Sequence, residues 1–256
     1  MFDRKAERKK ENKKAFKWFM LIIVISGFVG GLIGGLGYWS GESVIGLKEK
    51  LALTAANYAP YLMAVTGFLF HLYNWSGYMS GKKLFQQWTG ADEEEDVPKQ
   101  IELKISYGMT ASALNTILNF LLFAFGLNDQ VMKSTSSSRI LISLGLFVLN
   151  LALIVLYQQK AVDLLKEMNP EKQGSIYDVH FQKKWMVTCD EGEKAQIYES
   201  AWTAYYVMNN VFVFAWLITF LANNFFQTGL FACIVVTILW AIQSFVYCYK
   251  SIQLSK

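Results

Sequence analysis

Seven polar side chains inside otherwise apolar stretches have the types and spacing that could support chemistry. They are His71, Asn115, Asn119, Asn150, Tyr205, Asn209 and Asn210. Asn115 and Asn119 lie four residues apart, as do Tyr205 and Asn209, so each pair shares one face of a helix. Such residues either line a polar cavity for a small ligand or peptide, or form hydrogen bonds between helices. The sequence leaves both interpretations open.

No other pattern in the chain points to catalysis. The apolar stretches contain no Asp, Glu, Lys or Arg, the groups that mark proton relays and ion pathways in membranes. The motifs of phosphate-binding loops, dinucleotide sites and membrane metalloproteases are absent. His71 and His180 are too few and too isolated to build a metal site. We therefore expect a non-enzymatic protein with no catalytic residue, no bound metal and no cofactor.

The elements that position these residues are six apolar stretches, at about 18–39, 52–78, 105–127, 140–157, 201–224 and 230–249. Each is long enough to cross a hydrocarbon core of about 30 Å as a helix. The sequence predicts an all-α polytopic membrane protein whose domain, 18–249, has six transmembrane helices in three hairpins.

Basic residues predict the orientation of these helices. Of the 24 Lys and Arg residues, 20 fall in segments 1–17, 79–104, 158–200 and 250–256. By the positive-inside rule these segments and both termini are cytoplasmic, which indicates the plasma membrane. The polybasic tail, 1–17, is expected to contact membrane lipids. Nucleic-acid binding is the less favoured interpretation of this tail, so we expect no direct nucleic-acid contact.

Glycines are concentrated in the first apolar stretch, "GFVGGLIGGLG". Gly27, Gly31 and Gly35 form one stripe at a spacing of four residues, and Gly30 and Gly34 form a second stripe beside it. Small residues at this spacing allow close approach of a second helix in lipid, as in a glycine zipper. The contact is predicted within the six-helix bundle or, alternatively, in a homo-oligomer.

The cytoplasmic segments 79–104 and 158–200 are predicted to form a surface for a protein partner. Their candidate contact residues are Trp88, Lys184, Trp185, Asp190, Glu191 and Glu193. The fourth helix is expected to extend past Tyr157 until Asn169-Pro170 stops it. The fifth is expected to begin near Asp190, with Thr188 and Glu191 at capping-box spacing. Two cytoplasmic stretches also resemble each other, "WTGADEEED" from Trp88 and "WMVTCDEGE" from Trp185. The second and third hairpins are therefore either copies of one repeat or similar by chance.

The stretch from Asn169 to Tyr206 resembles a family of uncharacterised polytopic membrane proteins of Gram-positive bacteria, known only as a domain of unknown function. The resemblance is most specific at "KW" (184–185) and "CDEGEK" (189–194). Proteins of this general kind resemble membrane partners of transcription regulators, or immunity proteins against peptide antibiotics. We expect a regulatory protein that restrains a cytoplasmic partner, such as a transcription regulator, in response to membrane or peptide stress. The alternative is a small transporter, a channel or a transporter accessory protein.

Overall fold

The computed structural model describes residues 53–89, 96–127, 137–226 and 228–255, with isolated positions 20, 21, 24, 25, 28 and 50. Within these ranges there are six helices and no strand. The helices are α1 (53–87), α2 (Val97–Gly126), α3 (Ser137–Met168), α4 (Phe181–Val187), α5 (Glu191–Phe226) and α6 (Phe231–Leu254). The all-α prediction is thereby confirmed for the described part of the chain.

Four of these helices are long and apolar enough to cross a membrane. They are Val97–Gly126, Arg139–Met168, Glu191–Phe225 and Phe231–Leu254. They contain the predicted stretches 140–157 and 201–224 and nearly all of 105–127 and 230–249. This finding indicates a membrane protein. Helix α1 covers residues 53–78 of the predicted stretch 52–78 but is not among the four helices. Most of the first predicted stretch, 18–39, lies outside the described residues, including all five glycines of the predicted stripes, Gly27, Gly30, Gly31, Gly34 and Gly35.

The chain divides into two compact units, one spanning Glu49–Tyr205 and the other containing Tyr206–Lys256. In the first unit α1, α2 and α3 pack together. Asn57 of α1 accepts a hydrogen bond from Arg139 at the start of α3, and Gly81 lies beside Leu164 near the end of both helices. Helices α1 and α3 are therefore parallel. Ile101, near the start of α2, also lies beside Gly81, so α2 is antiparallel to both.

One face of α2 forms the central seam between α1, α2 and α3. The buried residues of that face are Ile101, Ile105, Gly108, Ser112, Asn115, Asn119, Leu122 and Gly126. Their spacing alternates between four and three residues, which keeps a single stripe in contact with neighbouring helices. The middle of the stripe is polar or small, whereas Ile101 and Ile105 join an apolar cluster with Tyr157 and Leu164.

The second unit pairs the latter half of α5 with α6. The rings of Phe212 and Trp240 stack with centroids 6.4 Å apart, and Cys233 Sγ lies 3.3 Å from Thr219 Oγ1. Most large apolar side chains here are exposed, for example Phe245, which retains 70% of its accessible surface. Because apolar side chains avoid water, this exposure fits a helix pair surrounded by lipid.

The ends of α3 and α5 follow the local sequence. Helix α3 ends at Met168, directly before Asn169-Pro170, as predicted. Helix α5 begins at Glu191, but its capping box was wrongly assigned to Thr188 and Glu191. Asp190 Oδ1 accepts a hydrogen bond from the Glu193 backbone N–H at 2.7 Å, and Glu193 Oε2 accepts one from the Asp190 N–H at 3.0 Å. Thr188 instead ends α4, where its hydroxyl donates to the Trp185 carbonyl.

Candidate functional site

Asn150 is the centre of a buried hydrogen-bond network that joins α1, α2 and α3. Its Nδ2 donates to the Met63 carbonyl of α1 at 3.2 Å and to Asn119 Oδ1 of α2 at 3.3 Å. Its Oδ1 lies 3.0 Å from His71 Nε2. An amide oxygen can only accept, so this bond places a proton on His71 Nε2. Three of the predicted polar residues therefore meet at one point.

Close approach of α1 and α3 at this network depends on a glycine. A Cβ atom at Gly67 would overlap the Asn150 amide, so a side chain there would displace the amide from its partners. Asn119 is fixed on its other side, because its Nδ2 donates to the Phe147 carbonyl at 3.2 Å. The network thus fixes the register of the three helices.

A second buried polar group lies further along the seam. Asn74 Nδ2 donates to Ser112 Oγ at 2.9 Å. Three buried atoms, Asn74 Oδ1, Asn115 Nδ2 and the Tyr157 hydroxyl, have no hydrogen-bond partner among the residues that the structure describes. The Tyr157 hydroxyl lies against Gly108, where a Cβ atom would overlap it. Unpaired buried polar atoms cost about 1–3 kcal/mol each, so this part of the seam lowers stability.

The remaining predicted polar residues belong to α5. Tyr205 and Asn209 are partly buried, and Asn210 is exposed and donates to the Tyr206 carbonyl of its own helix at 3.1 Å. Asn209 and Asn210 lie in the second unit. An amide that bonds to its own helix has a local role, unlike the interhelical bonds of Asn119 and Asn150.

The chain between α3 and α5, here called the connecting segment (169–190), is folded against the end of α3. Gln159 Oε1 accepts hydrogen bonds from the Ser175 hydroxyl at 3.0 Å and from the Ile176 N–H at 2.9 Å. Lys166 Nζ donates to the Gly174 carbonyl at 3.1 Å. Gly174 has φ +122°, a left-handed conformation that favours glycine. These contacts anchor the first half of the segment.

An ion pair between a buried lysine and a partly exposed glutamate attaches the connecting segment to α5. Lys172, only 6% exposed, forms a salt bridge with Glu193 of the first turn of α5. The Lys172 ammonium also lies 5.6 Å from the centroid of the Trp185 ring, within the range of a cation–π contact. Glu193 therefore has two roles, because the same carboxylate caps α5.

The electrostatics of the segment agree with these contacts. Burial opposes the charge on Lys172, but the hydrogen bond and the negative charge of Glu193 outweigh it and raise the lysine pKa. The hydrogen bond from Lys184, at 2.5 Å, lowers the pKa of the Asp178 carboxyl. Burial raises the pKa of the Cys189 thiol, which favours the protonated, unreactive form at neutral pH.

The six predicted partner-contact residues have different positions in the structure. They are Trp88, Lys184, Trp185, Asp190, Glu191 and Glu193. Trp185 and Glu193 hold the segment together, Asp190 caps α5, and Lys184 pairs with Asp178. Glu191 is exposed in the first turn of α5, and partly buried Trp88 directly follows α1.

The outer surface of the segment instead presents apolar side chains that the sequence analysis missed. Tyr177, Val179 and Val187 are exposed, and Val179 retains 96% of its accessible surface. Two charged residues are close to them in the sequence: Asp178 lies between Tyr177 and Val179, and Lys184 lies three residues before Val187. Also missed were Lys172 and Asn74, whose partners are 21 and 38 residues away in sequence. The alternating spacing along α2 was the available signal for the polar seam, since it includes Ser112, the partner of Asn74.

The described residues contain no group of three or more His, Cys, Asp or Glu side chains arranged to hold a metal ion. Neither a curated protein nor a solved structure matches the chain. Its sequence matches the family described as "Protein of unknown function (DUF3169)" over residues 9–251. This match covers nearly the whole chain, and the protein belongs to that family.

Proposed function

We propose that the protein is a non-enzymatic regulatory protein of the plasma membrane whose connecting segment binds a cytoplasmic protein, such as a transcription regulator. The observation that supports this proposal is the exposed apolar surface at Tyr177, Val179 and Val187. The segment that carries it is attached to α3 through Gln159 and to α5 through Lys172. Apolar side chains surrounded by charged ones are characteristic of the centre and rim of protein interfaces.

The anchoring contacts are relevant to this proposal because binding is favoured by preorganisation. A segment that is already ordered loses less conformational entropy when a partner binds. The Lys172–Glu193 ion pair joins the segment to α5, and Gln159 joins it to α3. Both helices are candidate membrane spans. A change in lipid packing that shifts α3 relative to α5 would therefore alter the connecting segment, which is the proposed route from membrane stress to the partner.

The test uses substitutions that leave the anchoring contacts intact. Tyr177→Ser with Val179→Ser removes exposed apolar surface without touching the ion pair. The matched control is Ile252→Ser with Leu254→Ser, since these two side chains are also exposed and apolar but lie at the end of α6. We expect a DNA-binding protein to leave the membrane fraction, and its target transcripts to change, in the first variant only. Unchanged membrane proteomes and transcripts in both variants would contradict the proposal.

Transport of a small polar solute is the second candidate function. It is favoured by the buried polar seam, where Asn74 Oδ1 and Asn115 Nδ2 lack a partner among the described residues. Leucine at Asn115, Asn119 and Asn209 would then abolish a transport or resistance phenotype while folding is retained. Retention of the phenotype would assign the amides to helix packing.

A further inference from the structure

A cavity of about 660 Å³ lies between α1 and α2 in the first unit. It is lined from α1 by Tyr73, Ser76 and Ser80, and from α2 by Gln100, Lys104 and Tyr107. Its volume falls within the range of about 300–1,000 Å³ that is typical of small-molecule sites.

Helical spacing produces the polar lining of this cavity. Ser76 and Ser80 are four residues apart on α1, and Gln100 and Lys104 are four apart on α2, so each helix turns one polar stripe toward the other. Gly77 lies between the two serines and leaves room, because the nearest atom to a Cβ added there is the Lys104 carbonyl oxygen at 3.7 Å.

The chemistry of the lining selects an anion with an apolar portion. Lys104 is the charged residue of the lining, which includes no carboxylate, and none of the described residues pairs with its ammonium. Ser80 and Gln100 supply further donors, whereas the Ser76 hydroxyl already donates to the Tyr73 carbonyl. The rest of the cavity surface is mainly apolar.

The position of the cavity identifies the source of the anion. Lys82 and Lys83 lie two and three residues after Ser80, so the cavity lies toward the basic end of α1, where the positive-inside rule predicts the inner membrane surface. Tyrosines are enriched at that depth, and basic pockets between transmembrane helices bind anionic lipid head groups.

We propose that this cavity binds the phosphate head group of an anionic phospholipid, with the Lys104 ammonium on the phosphate and Tyr73 and Tyr107 flanking the glycerol region. The site does not depend on the regulatory proposal, since lipid binding is measured without any protein partner.

The test uses the full-length protein in an uncharged detergent and short-chain phosphatidylglycerol, with phosphatidylcholine as the comparison lipid. We expect Lys104→Gln to weaken phosphatidylglycerol binding about five-fold, the effect of losing one lysine contact. The matched control is Lys160→Gln, because Lys160 lines a separate cavity of about 370 Å³ between α1 and α3. Equal affinities for the two lipids, or equal effects of the two lysine substitutions, would overturn the proposal.

A second pair of variants tests the location of the head group. Gly77→Leu fills the cavity and should weaken binding at least ten-fold, whereas Gly77→Ala adds a Cβ in ordinary contact and should preserve it. Equal binding by a folded Gly77→Leu variant would overturn the location, and the lysine pair decides the question if that variant does not fold. Free glycerol 3-phosphate should not compete; competition as strong as that of the lipid would exclude a lipid site.

Discussion

Substitution of Asn150 by leucine tests the inference that its amide holds α1, α2 and α3 together. The variant loses the contacts to Met63, Asn119 and His71, which are 3.2, 3.3 and 3.0 Å long. Interhelical hydrogen bonds in membrane proteins contribute about 0.6 kcal/mol each on average and about 1.7 kcal/mol at most. We therefore expect the free energy of unfolding to fall by about 2 kcal/mol, with about 5 kcal/mol as the upper limit.

The assay is unfolding by sodium dodecyl sulfate in mixed micelles, followed by tryptophan fluorescence. The control is Asn210→Leu, because the exposed Asn210 amide bonds only to the Tyr206 carbonyl of its own helix among the described residues. That variant should change the free energy of unfolding by less than about 0.5 kcal/mol. In a double-mutant cycle, the variant with both Asn150→Leu and Asn119→Leu should lose less free energy of unfolding than the sum of the losses in the two single variants. If Asn150→Leu is no more destabilising than Asn210→Leu, the structural role assigned to the network is wrong.

Three further predictions concern close packing, the ion pair and pH. Gly108→Ala should destabilise the protein by about 1–3 kcal/mol because its Cβ overlaps the Tyr157 hydroxyl, and Tyr157→Phe should restore part of this loss in thermal unfolding. Glu193→Gln should increase chymotrypsin cleavage in the connecting segment more than Lys172→Gln does, because only the former leaves a buried ammonium without its anion; equal rates would contradict the pairing. The pKa of Asp178 is lowered from its usual 3.8, so its stabilising contribution is present above about pH 4 and is lost as the pH falls through the lowered pKa. Pepsin cleavage of the segment should therefore rise as the pH falls through the lowered pKa of Asp178, and Asp178→Asn should remove this rise.

The helices could be predicted from the sequence because apolar length and local stop signals determine them. The stretch 105–127 falls almost entirely within α2, and the end of α3 at Met168 follows from the proline at position 170. Helix α4 was not predicted, since seven residues are too few for a periodic pattern to be recognised.

The site was harder to predict because its contacts join distant parts of the chain. The polar character of Asn119 and Asn150 was evident, but their pairing requires the register between α2 and α3. Lysines are usually solvated, so the burial of Lys172 follows only from the position of Glu193, 21 residues later. Trp185 is predicted to contact a partner, and its cation–π contact with Lys172 within the segment could not be foreseen from the sequence.

The central claim is that the connecting segment binds a cytoplasmic regulatory protein, and photo-crosslinking from position 179 tests it most directly. Val179 is 96% exposed, so a photoreactive residue there should not disturb the fold. In intact cells we predict a crosslink to a protein with a DNA-binding domain, lost when Tyr177 is also replaced by serine. Crosslinks to lipid alone, or only to a second copy of this chain, would contradict the account.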